Sequence, residues 1–207
     1  FAGFKALENV YFTIEIGNVM ALVGANGAGK STLMKVLSGV YSHYTGQIQV
    51  NGQDVELRNP NAAKEMGVET VYQEVDTALV STLTVAENIM MDYLVRGIGK
   101  KQFINKTHIR QTSQDILKQL GIEIPINQII AKLSMAQKQM VVIARAVLRR
   151  CKFLILDEPT APLSNAETEK LFEIVRKLQS EGVGVLIISH RLNELFERMM
   201  EEAGHAL

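Results

Sequence analysis

Val10-Tyr-Phe-Thr-Ile-Glu-Ile16 alternates apolar positions with period two, which predicts a half-buried strand near the N-terminus. Gly17-Asn18 then turns the chain into Val19–Val23, a continuous apolar run that predicts a fully buried strand. The glycine-rich stretch Gly24–Gly29 follows. Lys30–Leu37 has helical character and stops at Gly39. Gln47–Val50 predicts a further strand, closed by the turn dipeptide Asn51-Gly52.

From Thr84 to about Leu120 the pattern is helical, opening on the capping-box spelling Thr84-Val-Ala-Glu87. Arg96–Lys101 holds two glycines and three basic residues and reads as a solvated loop. Asp115–Leu120 closes a helix before Gly121, and Pro125 breaks the chain again. Residues from about 75 to 150 therefore read as a helical subdomain inserted between two parts of an α/β core, 1–74 and 151–197. Lys152–Leu156 is a buried strand. Ser164-Asn-Ala-Glu167 spells a second capping box, opening a helix with Leu171, Ile174, Val175 and Leu178 on one face. Gly182 and Gly184 flank the strand Val183–Ser189. Strands alternating with helices imply a mainly parallel sheet covered on both faces.

Composition narrows the class. At 207 residues the chain suits one α/β domain, and it is 47% hydrophobic and 21% charged with a formal net charge of zero. That balance gives no basic surface for nucleic acid. The single cysteine, Cys151, excludes an internal disulfide and reads as a core or helix-end residue. No apolar run approaches the roughly 20 residues of a membrane helix. The chain starts at Phe1 rather than Met, and reads as a trimmed part of something longer.

Gly24-Ala25-Asn26-Gly27-Ala28-Gly29-Lys30-Ser31 matches the phosphate-loop pattern, and it sits between a buried strand and a helix start. Glycines let successive backbone N–H groups face phosphate oxygens, and the helix aims its positive dipole end at the same anion. Lys30 would reach the β- and γ-phosphates, Ser31 would ligate Mg²⁺, and Thr32 adds a hydroxyl near the α-phosphate. Phe153-Leu-Ile-Leu-Asp157-Glu158 is an apolar strand ending in two carboxylates. Asp157 would hold Mg²⁺, and Glu158 would accept the proton of the attacking water.

Three further elements complete an ordered set: Gln73 in Val71-Tyr-Gln73-Glu74, Leu133-Ser134-Met-Ala136-Gln137, and His190 in Ile187-Ile-Ser-His190-Arg191. With these the chain resembles the ATP-binding cassette ATPases from Phe1 to about Glu197. The resemblance implies a phosphate-loop NTPase core and ATP hydrolysis with Mg²⁺. In it Gln73 would sense Mg²⁺ and the attacking water, and His190 would contact the γ-phosphate and Glu158. Read alone, such a histidine is more often a hydrogen-bonded strand-end residue. Phe1 stands where the family places an aromatic on adenine, or is simply a terminal apolar residue. Ser134-Met-Ala-Gln137 spells a third capping box and so a helix start, an anion site that in the family meets the γ-phosphate of the opposite subunit. Two ATP molecules would then be sandwiched head to tail between two cassettes, and hydrolysis would open the pair.

Gly24–Lys35, Leu83-Thr-Val-Ala-Glu-Asn88, Asp157-Glu-Pro-Thr-Ala-Pro-Leu163 and Ser189-His-Arg-Leu192 resemble the first cassette of bacterial tandem monosaccharide importers (ribose, galactose or xylose type). That branch implies several partners: a second cassette in the same chain or a dimer mate, transmembrane permease subunits, and indirectly a periplasmic sugar-binding protein. It also implies a peripheral place on the cytoplasmic face of the inner membrane. The alternatives are a cassette protein of translation or DNA maintenance, and an ATP-binding module that does not hydrolyse. Ala136 replaces the usual signature glycine, so its Cβ is expected to intrude where backbone approaches phosphate. Ser164 stands where an aspartate often crosses the dimer. Residues 198–207 form an atypical tail, with Arg198–Ala203 reading as a helix extension and His205 as a tail residue. His43 and His108 read as exposed polar positions, because no second ligand lies at suitable spacing.

Overall fold

The short apolar runs become the strands of one sheet. The structure is a computed structural model that describes residues 5–99 and 104–190. β1 (Val19–Val23) leads into the helix α1 (Lys30–Leu37). β2 (Ile48–Val50) and β3 (Gln53–Val55) form a separate antiparallel hairpin. Asn51 and Gly52 close it with φ of 54° and 74°, the positive pair a two-residue type I′ turn requires. After the short helix α2 (Pro60–Glu65) comes β4 (Val68–Val71). β5 (Phe153–Asp157) and β6 (Gly184–Ser189) complete a four-stranded sheet in the order β1-β6-β5-β4, with every pairing parallel.

Between β4 and β5 the described residues hold helices and no strand. They are α3 (Val85–Ile89), α4 (Met91–Gly99), α5 (Lys106–Gln119) and α6 (Met135–Leu148), with 3-10 turns at Val75–Ala78 and Ile130–Lys132. All three capping boxes read from sequence form, at Thr84/Glu87, Ser134/Gln137 and Ser164/Glu167. Two donations from Thr84, by its hydroxyl and its backbone N–H, hold the Glu87 carboxyl below the usual carboxylate range. Asn88 is fully buried. It accepts from the Val80 N–H at 2.8 Å and donates to the carbonyls of Val80 (3.1 Å) and Thr84 (3.0 Å), fixing the loop ahead of α3.

The pleat sorts the core. Leu154, Leu156, Val185 and Ile187 face a large cluster that includes Met140 and Ile143 of α6. Leu171, Ile174, Val175 and Leu178 of α7 (Asn165–Ser180) join the same cluster. Ile155, Leu186 and Ile188 point the other way, onto Met34 of α1 and Leu57. Cys151 is buried and free, and burial pushes its thiol up to about 12, so it is chemically quiet.

Three sequence expectations change. The Val10–Ile16 segment is not a strand, and Val10, Tyr11, Phe12 and Ile16 are exposed while Ile14 packs on the core. Alternation alone does not make a strand. The segment pairs with no strand among the described residues, and a strand is held by its ladder. β1 is half-buried along its length rather than fully buried, because it is an edge strand with one neighbour. Arg96–Gly99 belongs to α4 instead of a loop, while Lys100 and Lys101 lie outside the described residues. The tail from residue 191 onward, including Arg198–Ala203 and His205, also lies outside them. His43 and His108 are exposed, as expected. Among the described residues, no helix is long and apolar enough to cross a membrane.

Candidate active site

Parallel pairing brings four carboxyl ends to one edge of the sheet. Val23 of β1 lies beside Ser189 of β6, and Ile188 lies beside Asp157 of β5. The Gly24–Gly29 loop, His190 and Glu158 therefore leave the sheet side by side. β4 pairs with β5 through Val71 and Leu156, so Tyr72 and Gln73 leave the same edge one strand further on. This is where parallel α/β sheets hold their ligands.

The loop is built for backbone approach. Gly29 has φ 86°, and a Cβ there would lie 2.8 Å from Leu7 Cδ2 and 2.9 Å from the Ala6 carbonyl oxygen. Only glycine fits both the dihedral and the space. Ala25, Asn26, Gly27 and Ala28 are exposed, and Gly24 is half-buried. Lys30 folds its ammonium over the loop, donating to the carbonyls of Gly24 (2.6 Å) and Ala25 (3.0 Å). The first turn of α1 has no acidic residue, so its N–H groups and dipole present uncompensated positive charge. Ser31, exposed, and Thr32, half-buried, place hydroxyls on that turn.

Asp157 and Glu158 differ in setting. Burial, then the neighbouring Glu158 charge, pushes the Asp157 carboxyl above its usual range, with Lys30 and Lys35 pulling against them. A carboxylate so placed favours an added cation. Glu158 has φ 47°, a left-handed backbone that ends the strand and costs about 1 kcal/mol for a residue with a Cβ. Its N–H donates to the Ile188 carbonyl at 2.8 Å. Its side chain, only 12% exposed, carries Oε1 at 2.8 Å from His190 Nδ1. A carboxylate only accepts, so against an ionised Glu158 this contact is a donation from His190 Nδ1–H. Among the described residues no three His, Cys, Asp or Glu side chains converge as a metal cage. Ser31 and Asp157 instead match the sparse protein ligand set of Mg²⁺, which takes much of its shell from phosphate and water.

Other expected site residues stay apart. Gln73 is exposed beyond the end of β4 and makes no described side-chain contact with Lys30, Asp157 or Glu158. Ser134 caps α6, accepting from the Gln137 N–H at 3.2 Å, while Gln137 Oε1 accepts from the Ser134 N–H at 3.0 Å. No hydrogen bond or ion pair among the described residues joins this helix start to the phosphate-loop residues. Ala136 is 5% exposed, so its methyl packs inward; the exposed side chain beside Ser134 is Met135, at 37%. Phe1 lies outside the described residues.

Two contributors were not visible in the sequence. Ala6 and Leu7 press on Gly29 from a segment with no motif. The Tyr72 hydroxyl donates to Ser38 Oγ at 2.9 Å, tying the residue before Gln73 to the C-cap of the phosphate-loop helix. That pair is 34 residues apart in sequence, and no local pattern encodes it.

Comparison with known proteins agrees with this geometry. A family model described as "ABC transporter" matches residues 7–161. The chain is 43% identical over 199 residues to "Ribose import ATP-binding protein RbsA 2" of Burkholderia pseudomallei (strain 1710b), covering 95% of this chain and 38% of that protein. It is 42% identical over 195 residues to a "Putative ribose/galactose/methyl galactoside import ATP-binding protein" of Albidiferax ferrireducens, covering 94% and 38%. The chain thus spans about 38% of the length of these relatives. Among solved structures, the ADP conformation of MJ1267, an ATP-binding cassette of an ABC transporter, superposes with a TM-score of 0.79. It is 28% identical, with 93% of this chain and 78% of that one covered.

Proposed function

The chain belongs to the ABC transporter family, and from that membership we propose that it is a cassette that binds and hydrolyses MgATP to power monosaccharide import. The observation that carries the mechanism is the meeting of Lys30, Asp157, Glu158 and His190 at one sheet edge, with the 2.8 Å Glu158–His190 contact at its centre.

In this reading the N–H groups of Gly27–Ser31 and the Lys30 ammonium bind the β- and γ-phosphates. Thr32 lies toward the α-phosphate. Ser31, Asp157 and Gln73 hold Mg²⁺, which neutralises charge on the β- and γ-oxygens when bound. Glu158 orients water and takes its proton as the water oxygen bonds to the γ-phosphorus and the bond to the β,γ-bridging oxygen breaks. ADP and inorganic phosphate leave. His190 Nδ1–H holds the Glu158 carboxylate, and its Nε2 faces the transferring group. Phe1 stacks on adenine. Ser134, Ala136 and Gln137 serve the nucleotide of a second cassette, in the same polypeptide or a dimer mate, because within one chain they stand apart from the phosphate loop.

The domain plan supports the rest. The core, 1–74 and 151–197, carries the nucleotide, and the helical part, about 75–150, docks transmembrane permease subunits on the cytoplasmic face of the inner membrane. A periplasmic sugar-binding protein supplies the solute. The likeness to import proteins named for ribose and for ribose, galactose and methyl galactoside supports a monosaccharide as the solute.

Two measurements test this. Lys30→Ala should weaken MgATP binding by about 10- to 100-fold, the worth of one or two charge-assisted hydrogen bonds, read by nucleotide titration. Unchanged affinity would remove the phosphate loop from the site. Vesicles holding the full-length protein with its permease should take up labelled ribose only with ATP inside and the binding protein outside. Turnover stimulated by RNA or DNA, with no uptake, would favour a role in translation or DNA maintenance.

A further inference from the structure

The turn Val75–Ala78 begins two residues after Gln73, and its polar atoms close on themselves. The Val75 N–H donates to the Gln73 carbonyl at 3.1 Å. The Thr77 N–H (3.2 Å) and hydroxyl (2.8 Å) both donate to the Glu74 carbonyl, and the Leu79 N–H donates to the Asp76 carbonyl at 3.3 Å. A segment bonded this densely moves as one piece. It is fastened to α6 at two points. Lys138 Nζ meets Asp76 Oδ1 at 2.8 Å, and Arg145 Nη2 donates to the Ala78 carbonyl at 2.9 Å. Lys138 and Arg145 are seven residues apart, so they share one helix face. The Lys138 side chain is 14% exposed although its partner is 59% exposed, so a packed stem holds the ammonium in place. Ser134 lies one helical turn before Lys138, about 6 Å along the axis, with its hydroxyl fixed by the capping box. Every joint between Gln73 and the Ser134 hydroxyl is therefore bonded.

We propose that Lys138 and Asp76 are a positioning pair that ties Gln73 to Ser134, so that nucleotide at this chain's phosphate loop sets how the signature helix is offered to the second cassette. The proposal rests on the nucleotide-site reading above. Arg145 is the second anchor. The pair touches no nucleotide; it transmits orientation between two elements that do.

The test uses the full-length protein. Lys138→Met keeps the packed stem and removes the charge. Its MgATP dissociation constant should stay within about twofold of wild type, while kcat falls roughly three- to tenfold. Lys138→Glu should be as slow, and Lys138→Glu with Asp76→Lys should recover kcat to within about twofold. The melting temperature should stay the same across the set. An unchanged kcat in Lys138→Met, or no recovery in the swap, overturns the pair. So does a joint loss of affinity and melting temperature, which marks plain packing. A wild type without MgATP affinity fails at a separate step, and overturns the nucleotide-site reading together with the pair built on it.

Discussion

Replacing Glu158 by Gln should lower ATP turnover at this cassette by about 10²–10⁴-fold while MgATP affinity stays within a few-fold of wild type. The substitution keeps shape and hydrogen bonding. Gln Oε1 can still accept from His190 Nδ1, so the 2.8 Å contact and the half-enclosed rotamer survive. What is lost is the capacity to take a proton, and that capacity matters only during attack by water. The effect should therefore fall on kcat and spare binding, the signature of an interaction made in the transition state. The left-handed backbone at Glu158 is unchanged, since Gln meets the same penalty. Phosphate release under multiple turnover, beside a nucleotide titration, checks both halves. Turnover near the wild-type rate would remove Glu158 from the chemistry.

The largest effect on stability should come from Arg149→Ala. Arg149, at the C-cap of α6, donates through Nη1 to both oxygens of Glu69 on β4, at 2.9 and 3.2 Å. It also pairs with Asp92 in the first turn of α4. The Glu69 side chain is only 8% exposed. Removing the guanidinium leaves that carboxylate buried without its fork, which typically costs about 3–5 kcal/mol. For a domain of this size the melting temperature should fall by about 10 °C. The loss should depend on pH with a definite sign. Burial alone would raise the Asp92 carboxyl, but the Arg149 hydrogen bond and charge outweigh it and hold the group below its ordinary 3.8. A depressed carboxylate adds stability above that ordinary value and loses it as pH falls through the lower, folded one. The gap between wild type and variant should thus be full at neutral pH and narrow below about pH 4. A gap independent of pH would show that the charge pair with Asp92 is not what stabilises.

The elements with strong local codes were legible in the sequence. Thr84/Glu87, Ser134/Gln137 and Ser164/Glu167 reached their capping geometry because both halves of each box lie within one turn. The phosphate loop was legible because its glycines answer a local dihedral demand, as at Gly29. The parallel order was implied by strand–helix alternation, and that order is what gathers Lys30, Asp157, Glu158 and His190. Val10–Ile16 misled because its alternation says nothing of a ladder partner. β1 misled because a run of apolar residues does not say whether its strand is central or at the edge. Arg96–Gly99 continues a helix despite two glycines, since α4 is already nucleated at Met91. The inward turn of Ala136, the Tyr72–Ser38 tie and the Lys138–Asp76 pair depend on contacts between distant segments, and no spacing rule reports them.

The claim that most of this depends on is tested directly by a crystal structure of the full-length protein with magnesium and a non-hydrolysable ATP analogue. The expected result is a triphosphate lying along the backbone N–H groups of Gly27–Ser31, with Lys30 turned from the Gly24 and Ala25 carbonyls onto it. Nucleotide seated away from that loop, or bound with Lys30 still held by those two carbonyls, would contradict it.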